Sequence, residues 1–452
     1  MKRRDFFGST VAAGLTGAAS LHANPTASMT NYKRHGFKVL PEKLAGLTYE
    51  ELLEDYKDRL FNQYLPFWEK GGYDKKRGGF VTELRDDGSV QTDEKYIWYQ
   101  GRGIWVYSYV YNNLKKDPKY LECARNSRDF MVKHMYLGDG FWRQMVNGDG
   151  SEKARSDQGS SLDIYGPMFA AAGLIEYYKA AGKEEDLEIA KASIHKSLQR
   201  YNKPDYRGVR VAGEPEKAYR SQGHSFMMIW TLTQLLAFHD DSELDAVLTE
   251  HVDHVMNDFW NNDYGISNEV LNYDYSRIPS QAAHFSPGHS IETLWMVMHE
   301  TLIHGHGTRF YICKNRIRRI LEMGWDYVFE GLGDTRYNIF GSEDHCQGGV
   351  FDIKTMWAHT EILIATMLTL EYTGDVWAIE WYERARKFTH RAMTTDHGVW
   401  RQAVDRYGKD KKRAGISIYR KGNFHQPRYL VYNIMSLERM IKNKGKLTAF
   451  PL

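Results

Sequence analysis

Apolar positions recur along this chain three and four residues apart, in long stretches separated by connections rich in Gly, Asn and Asp. The first stretch opens at Thr48-x-x-Glu51, a capping box ahead of Leu52, Leu53, Tyr56, Leu60 and Tyr64. Gly78-Gly79 and Asp86-Asp87-Gly88 then break the pattern, and Phe80-Val81 and the Val90 region read as short strands of a hairpin. Beyond it the helical stretches come in pairs: about 95–114 with 118–136, 160–181 with 185–201, 222–239 with 243–260, 286–304 with 315–330, and 353–373 with 376–392, before a last one near 426–441.

The first members of these pairs recur roughly every 60 to 70 residues and are richer in Trp, Met and other aromatic residues than their partners. Counting the first helix, twelve helices alternate between inner and outer positions. This period predicts an all-α fold, an (α/α)6 barrel of six inner and six outer helices with short β-hairpins in the connecting loops, rather than a solenoid. The long connections 263–285 and 332–352 are expected to cover a pocket.

Composition supports one large body. The chain has 452 residues, 42% of them apolar, with no break in character, so a single domain is expected over 44–443. Twelve Trp and thirty Tyr exceed what packing usually needs and suit a carbohydrate site, where sugar C–H faces rest on aromatic rings. The formal charge is +2, and Lys2, Arg3, Arg4 and Asp5 supply all of it (three positive, one negative), which argues against a nucleic-acid partner. Those residues begin a stretch, 1–23, that continues Phe6-Phe7-Gly8, runs through Ala and Gly, and ends Leu21-His22-Ala23. It reads as a twin-arginine export signal, with the mature protein starting near Asn24 in the periplasm or outside the cell. Cys123, Cys313 and Cys346 are too few, and odd in number, for a disulfide framework. No later stretch reaches the roughly 20 apolar residues of a membrane span, so the mature protein is not expected to insert in a bilayer.

Candidate chemistry gathers at predicted helix starts. In Ser286-Pro287-Gly288-His289-Ser290-Ile291-Glu292, Ser286 is an N-cap and Pro287 a first helical residue, so His289 falls in the first turn with Glu292 on nearly the same face. A helix N-terminus disfavours the protonated ring, which leaves His289 neutral near pH 7 and able to accept a proton. Capping and packing produce the same pair, and without a second histidine at i+4 it does not indicate zinc. Trp98, Arg102 and Trp105 share a face, where Arg102 either binds an anion or joins a core ion pair. Trp357 and Glu361 share another face, with His359 turned about 200° from Trp357, so Glu361 rather than His359 is expected at the pocket unless that face is exposed. Pro427 belongs to a first helical turn, which puts His425 at a loop-to-helix junction as His289 is.

Pro66-Phe67-Trp68, Gly78-Gly79-Phe80, Lys95-Tyr96-Ile97-Trp98-Tyr99-Gln100-Gly101-Arg102, Pro287-Gly288-His289-Ser290-Ile291-Glu292, Trp357-Ala358-His359-Thr360-Glu361 and Phe424-His425-Gln426-Pro427-Arg428 follow one another over nearly the whole mature chain. Together they resemble the N-acylglucosamine 2-epimerase family, which includes the renin-binding proteins and is related to cellobiose 2-epimerases and to mannose and sulfoquinovose isomerases. The resemblance implies an (α/α)6 barrel and 2-epimerisation of a reducing sugar in its open-chain form. It makes a small carbohydrate the partner, requires no cofactor or metal, and allows a homodimer. Carried onto this sequence, His289 and His425 are the paired acid/base residues, and Arg102, Glu292, Glu361 and Arg428 the polar shell. His224 stands one residue out of register with a third histidine of the cellobiose epimerases. Trp98, Tyr165, Trp295 and Trp357 are candidates for stacking on sugar.

A C2–H beside an aldehyde is weakly acidic, so the reaction needs a neutral base and cations that stabilise an ene-diolate. Histidines on opposite faces of that intermediate invert C2, whereas proton return at C1 gives a ketose; an aldose–ketose isomerase is therefore the near alternative. No G-x-G-x-x-G after a strand and no Walker A loop points to a nucleotide. A glycoside hydrolase on the same barrel would need two opposed carboxylates, with Glu292 and Glu361 as candidates. A binding protein without catalysis is the third class.

Overall fold

In the computed structural model the described residues are 39–153, 163–211, 213–333, 353–410 and 419–450, with the backbone of 337–338; the export stretch and Cys346 lie outside them. Helix α1 (Tyr49–Asp58) starts as its sequence dictates. The Glu51 amide donates to Thr48 Oγ1 at 3.2 Å, and the Thr48 amide to Glu51 Oε2 at 2.8 Å. It continues through a wide turn, Arg59–Tyr64, a short α turn, Leu65–Phe67, and a second wide turn, Trp68–Gly72.

The other long helices are α2 (Ile97–Asn113), α3 (Pro118–Met135), α4 (Tyr165–Ala181), α5 (Glu184–Tyr201), α6 (Gln222–Leu236), α7 (Ser242–Asp253), α8 (Pro287–His304), α9 (Gly307–Gly324), α10 (Met356–Thr373), α11 (Val376–Ala392) and α12 (His425–Lys442). The even-numbered helices pack in sequence order, α2 against α4 and so on to α12, which returns to α2. Each carries an odd-numbered helix outside it, and α1 lies outside α12, so the first and last helices close the ring. This is an (α/α)6 barrel. Inner α10 is buried along almost its whole length, whereas outer α9 buries only a stripe of Phe310, Cys313, Ile317, Ile320, Leu321 and Gly324.

Two details of the barrel bear on the site. A Cβ on Gly101 would lie 2.2 Å from the Phe169 carbonyl oxygen, and one on Gly173 would lie 2.5 Å from that of Gly101, so α2 and α4 meet backbone to backbone. Among the described residues the strands form two-stranded antiparallel pairs, and several run straight into inner helices. Lys95–Tyr96 pairs with Met145–Val146 and leads into α2; Tyr219–Ser221 pairs with Val270–Asn272 and leads into α6; Lys354–Thr355 pairs with Ala403–Val404 and leads into α10. These ladders clamp the inner helices at their N-termini.

Three boundaries differ from expectation. The hairpin is Glu83–Leu84 with Val90–Thr92, because Phe80 is taken by Gln100, which accepts from the Phe80 amide at 2.7 Å and donates to its carbonyl at 2.8 Å. Helix α9 starts at Gly307 rather than near 315: Gly305, at φ 84°, ends α8 by itself, and the buried stripe then begins at Phe310. Helix α7 ends at Asp253 and gives way to a wide turn, His254–Asp258. No described helix is long and apolar enough to cross a membrane.

Candidate active site

All six inner helices send residues from their first two turns into one cavity of about 830 Å³. Trp98 and Arg102 come from α2, Tyr165 and Phe169 from α4, Phe226 and Met227 from α6, His289 and Glu292 from α8, Met356 and Trp357 from α10, and His425 and Arg428 from α12. The six N-termini therefore share one end of the barrel, where their dipoles favour negative charge. The rim comes mainly from residues of 394–403 and 419–424. The segment 263–285, expected over the pocket, does not line it, and 332–352 falls largely outside the described residues.

His289 is held by its helix start, with the Ser286 side chain accepting from its amide at 3.4 Å. Its Nδ1 lies 2.8 Å from Glu269 Oε1. His425, the first residue of α12, places Nδ1 2.9 Å from Glu361 Oε1 and 3.2 Å from Arg428 Nη2. That nitrogen of Arg428 carries two hydrogens, and the carboxylates of Glu292 (2.6 Å) and Glu361 (2.7 Å) take both. The proton on His425 Nδ1 thus belongs to the ring and goes to Glu361, which leaves Nε2 for the cavity. The Trp357 ring lies beside both imidazoles, with centroids 5.0 Å from His289 and 5.9 Å from His425. Gly288 makes room for it, since a Cβ there would stand 2.6 Å from the indole.

Burial, and next the charge of Arg428, hold the His425 ring well below the ordinary histidine pKa, so it is neutral at pH 7. Burial opposes the charge of Arg428, but Glu361 and Glu292 outweigh it and keep the guanidinium protonated. Glu361 is fully buried and is further held by the indole N–H of Trp295 (2.8 Å) and the Thr360 hydroxyl (3.1 Å). Ligand atoms of Glu292, Glu361 and His425 lie within 4.8 Å of one another, a spacing that could hold a metal ion. The cation at that point is Arg428.

Arg102 is different. Its guanidinium rests 4.1 Å from the Phe169 ring centre, 5.1 Å from Phe424 and 5.2 Å from Trp98, and burial lowers its pKa to about 10, which leaves it charged. No carboxylate pairs with it among the described residues, and its Nε is buried without a hydrogen-bond partner. Trp98 and Tyr165, 5.1 Å apart, form the aromatic wall beside it.

Of the residues picked from sequence, Trp98, Arg102, Tyr165, His289, Glu292, Trp357, His425 and Arg428 meet at the cavity. Glu361 stands behind His425. Trp295 does not line the cavity; it is buried, with its N–H given to Glu361 and its ring 5.1 Å from the Arg428 guanidinium. His224 is also withdrawn, 1% exposed behind Tyr165 and Tyr206, with Nε2 3.6 Å from Asp163. His359, set aside in favour of Glu361, accepts from the Leu332 amide at 2.9 Å and stacks on Phe388. Sequence reasoning missed Phe169, Phe424, Arg420 and above all Glu269, which sits in an irregular connection with no periodicity to mark its direction.

The fold and the site define an (α/α)6-barrel enzyme with two carboxylate-backed imidazoles at the mouth of its inner ring. The chain belongs to the N-acylglucosamine 2-epimerase family, whose description, N-acylglucosamine 2-epimerase (GlcNAc 2-epimerase), applies to residues 78–419. It is 23% identical over 417 residues to N-acylglucosamine 2-epimerase of Rattus norvegicus, covering 87% of this chain and 95% of the relative. It is 29% identical over 154 residues to cellobiose 2-epimerase of Dictyoglomus turgidum, covering 33% of this chain and 36% of that protein. Its fold matches the structure of cellobiose 2-epimerase from Spirochaeta thermophila with a TM-score of 0.72 at 17% identity, over 87% of this chain and 98% of that one.

Proposed function

We propose that this protein is an isomerase that inverts C2 of a reducing sugar through an ene-diolate. The observation that carries the reading is the pair of imidazoles, brought by α8 and α12 to one cavity, each with Nδ1 against a carboxylate. Each ring then offers Nε2 to a sugar lying between them. One imidazole takes the C2 proton, and the electron pair moves onto the carbonyl carbon and oxygen as the ene-diolate forms. Arg102, which has no carboxylate partner among the described residues, and the six helix N-termini stabilise that negative charge. For the return step the other imidazole must enter with a second proton on Nε2; it gives that proton to the opposite face of the ene-diolate, and the first ring keeps the one it took, so the two exchange roles with each inversion. The substrate class is a glucose- or mannose-type sugar or its N-acyl derivative, with Trp98, Tyr165 and Trp357 as stacking surfaces.

The hydrolase reading has less to stand on. Glu292 and Glu361 are tied to the same guanidinium nitrogen, and Glu361 does not line the cavity, so the two are not opposed across a substrate.

Proton NMR in D2O tests the proposal, with glucose, mannose, N-acetylglucosamine, N-acetylmannosamine and cellobiose in separate tubes. Loss of the C2 proton together with a new C2 epimer is expected for at least one sugar. A ketose product would instead make the protein an aldose–ketose isomerase, and binding without exchange would make it a binding protein. We also propose that residues 1–23 direct twin-arginine export, on the strength of Arg3-Arg4 and the Ala-rich run that follows. Replacing Arg3 and Arg4 by Lys should leave the protein in the cytoplasm, and unchanged recovery from the periplasm would refute the signal.

A further inference from the structure

We propose that Glu269 is the positioning residue of His289: it holds the ring proton on Nδ1, turns the Nε2 lone pair towards the sugar, and meets the imidazolium that forms there with an unshared negative charge. The consequence for catalysis rests on the epimerase reading; the hydrogen-bond chemistry does not.

The connection that carries Glu269 is fixed on both sides. Asn268 is buried, and its side chain donates to the carbonyls of Gln281, Ala282 and His284 at 3.1, 2.9 and 3.2 Å. Its backbone bridges Phe285, the residue before the N-cap Ser286 of α8. On the other side, the Glu269 carbonyl accepts from the Gln222 amide at 3.0 Å, and Val270 enters the ladder against Ser221. One short segment thus sets the carboxylate and the start of the histidine's helix together. The Glu269 side chain is only 17% exposed, and a carboxylate is a pure acceptor, so at 2.8 Å it admits only a ring with hydrogen on Nδ1.

The two imidazoles are not equivalent in this respect. Glu361, behind His425, divides its charge among Arg428, the Trp295 indole and the Thr360 hydroxyl. Glu269 gives Oε1 to His289, and its Oε2 is buried with no hydrogen-bond partner among the described residues. Around His425 the facing charges include Glu361, Arg428, Glu292 and Arg102, and among the described residues Glu269 lies against His289 Nδ1. When the C2 proton passes to Nε2 of His289, the sugar keeps the electron pair as the ene-diolate and the new imidazolium lies against a whole carboxylate charge. At His425 the corresponding carboxylate is shared with Arg428, Trp295 and Thr360.

Glu269→Gln separates this role from packing, because glutamine keeps the size but can present an N–H to Nδ1 and so move the ring proton to Nε2. The full-length protein labelled with 15N-histidine is measured at a pH where the rings are neutral, with His289→Ala identifying the His289 signals. The proton is expected on Nδ1 in the wild type and on Nε2 in Glu269→Gln. C2 exchange of the substrate found by NMR should fall by about 10²- to 10⁴-fold, with KM little changed. The same nitrogen pattern in both proteins, or undiminished exchange in the variant, overturns the proposal. If even the wild type exchanges no sugar, the epimerase reading fails while the nitrogen signals still decide what Glu269 does.

Discussion

Arg428 lets two glutamates lie buried side by side, with one of its nitrogens 2.6 Å from Glu292 and 2.7 Å from Glu361. Removing that charge while keeping bulk, as in Arg428→Met, leaves two acidic groups facing each other in a low-dielectric site. A loss of about 3–5 kcal/mol is expected, read as a lower midpoint in urea unfolding. The histidines predict a different pattern. His289→Ala and His425→Ala should each lower C2 exchange by at least about 10²-fold while unfolding midpoints barely move, since both rings face the cavity and not the core. Full exchange in either variant would remove that residue from the mechanism. Both histidines were legible in the sequence because each stands at a helix start marked by proline. Glu269 was not, because a carboxylate in an irregular loop has no pattern that tells which imidazole it will reach.

At the scale of elements, the close contact of α2 and α4 depends on Gly101. Gly101→Ala must push the helices apart, and they carry Trp98, Arg102, Tyr165 and Phe169 into the cavity. We expect a stability loss of about 1–3 kcal/mol from overpacking, and weaker sugar binding as the aromatic wall shifts. Thermal unfolding and KM together check this; an unchanged Tm would mean the backbones separate without cost. Periodicity found the helices well because an inner helix must bury every face and an outer one a single stripe. It placed the start of α9 late, near 315, whereas the helix begins at Gly307.

For the whole molecule, buried neutral histidines set the response to acid. Burial lowers the pKa of His251 and His359 to about 3, and that of His299 and His390 to about 4. An unfolded chain protonates the same rings near pH 6.5. Between those values the unfolded state binds more protons than the folded one, so stability is complete above about pH 6.5 and falls as the pH is lowered towards 4. A Tm series from pH 8 to 4 should decline over this window, and replacing His359 with a neutral isostere such as Gln should flatten part of the slope.

The chain's own pattern was enough to specify twelve alternating helices, their closure into a barrel and the helix starts that carry His289 and His425, because spacing, caps and proline act locally. It also limited the chemistry to imidazole, carboxylate and guanidinium groups. Only the tertiary structure decided which carboxylate serves which ring, that Arg428 joins Glu292 to Glu361, and that Trp295 and His224 turn inward. Those choices depend on distances between helices far apart in sequence, where a shift of one residue swings a side chain by about 100° and moves it from the cavity to the core.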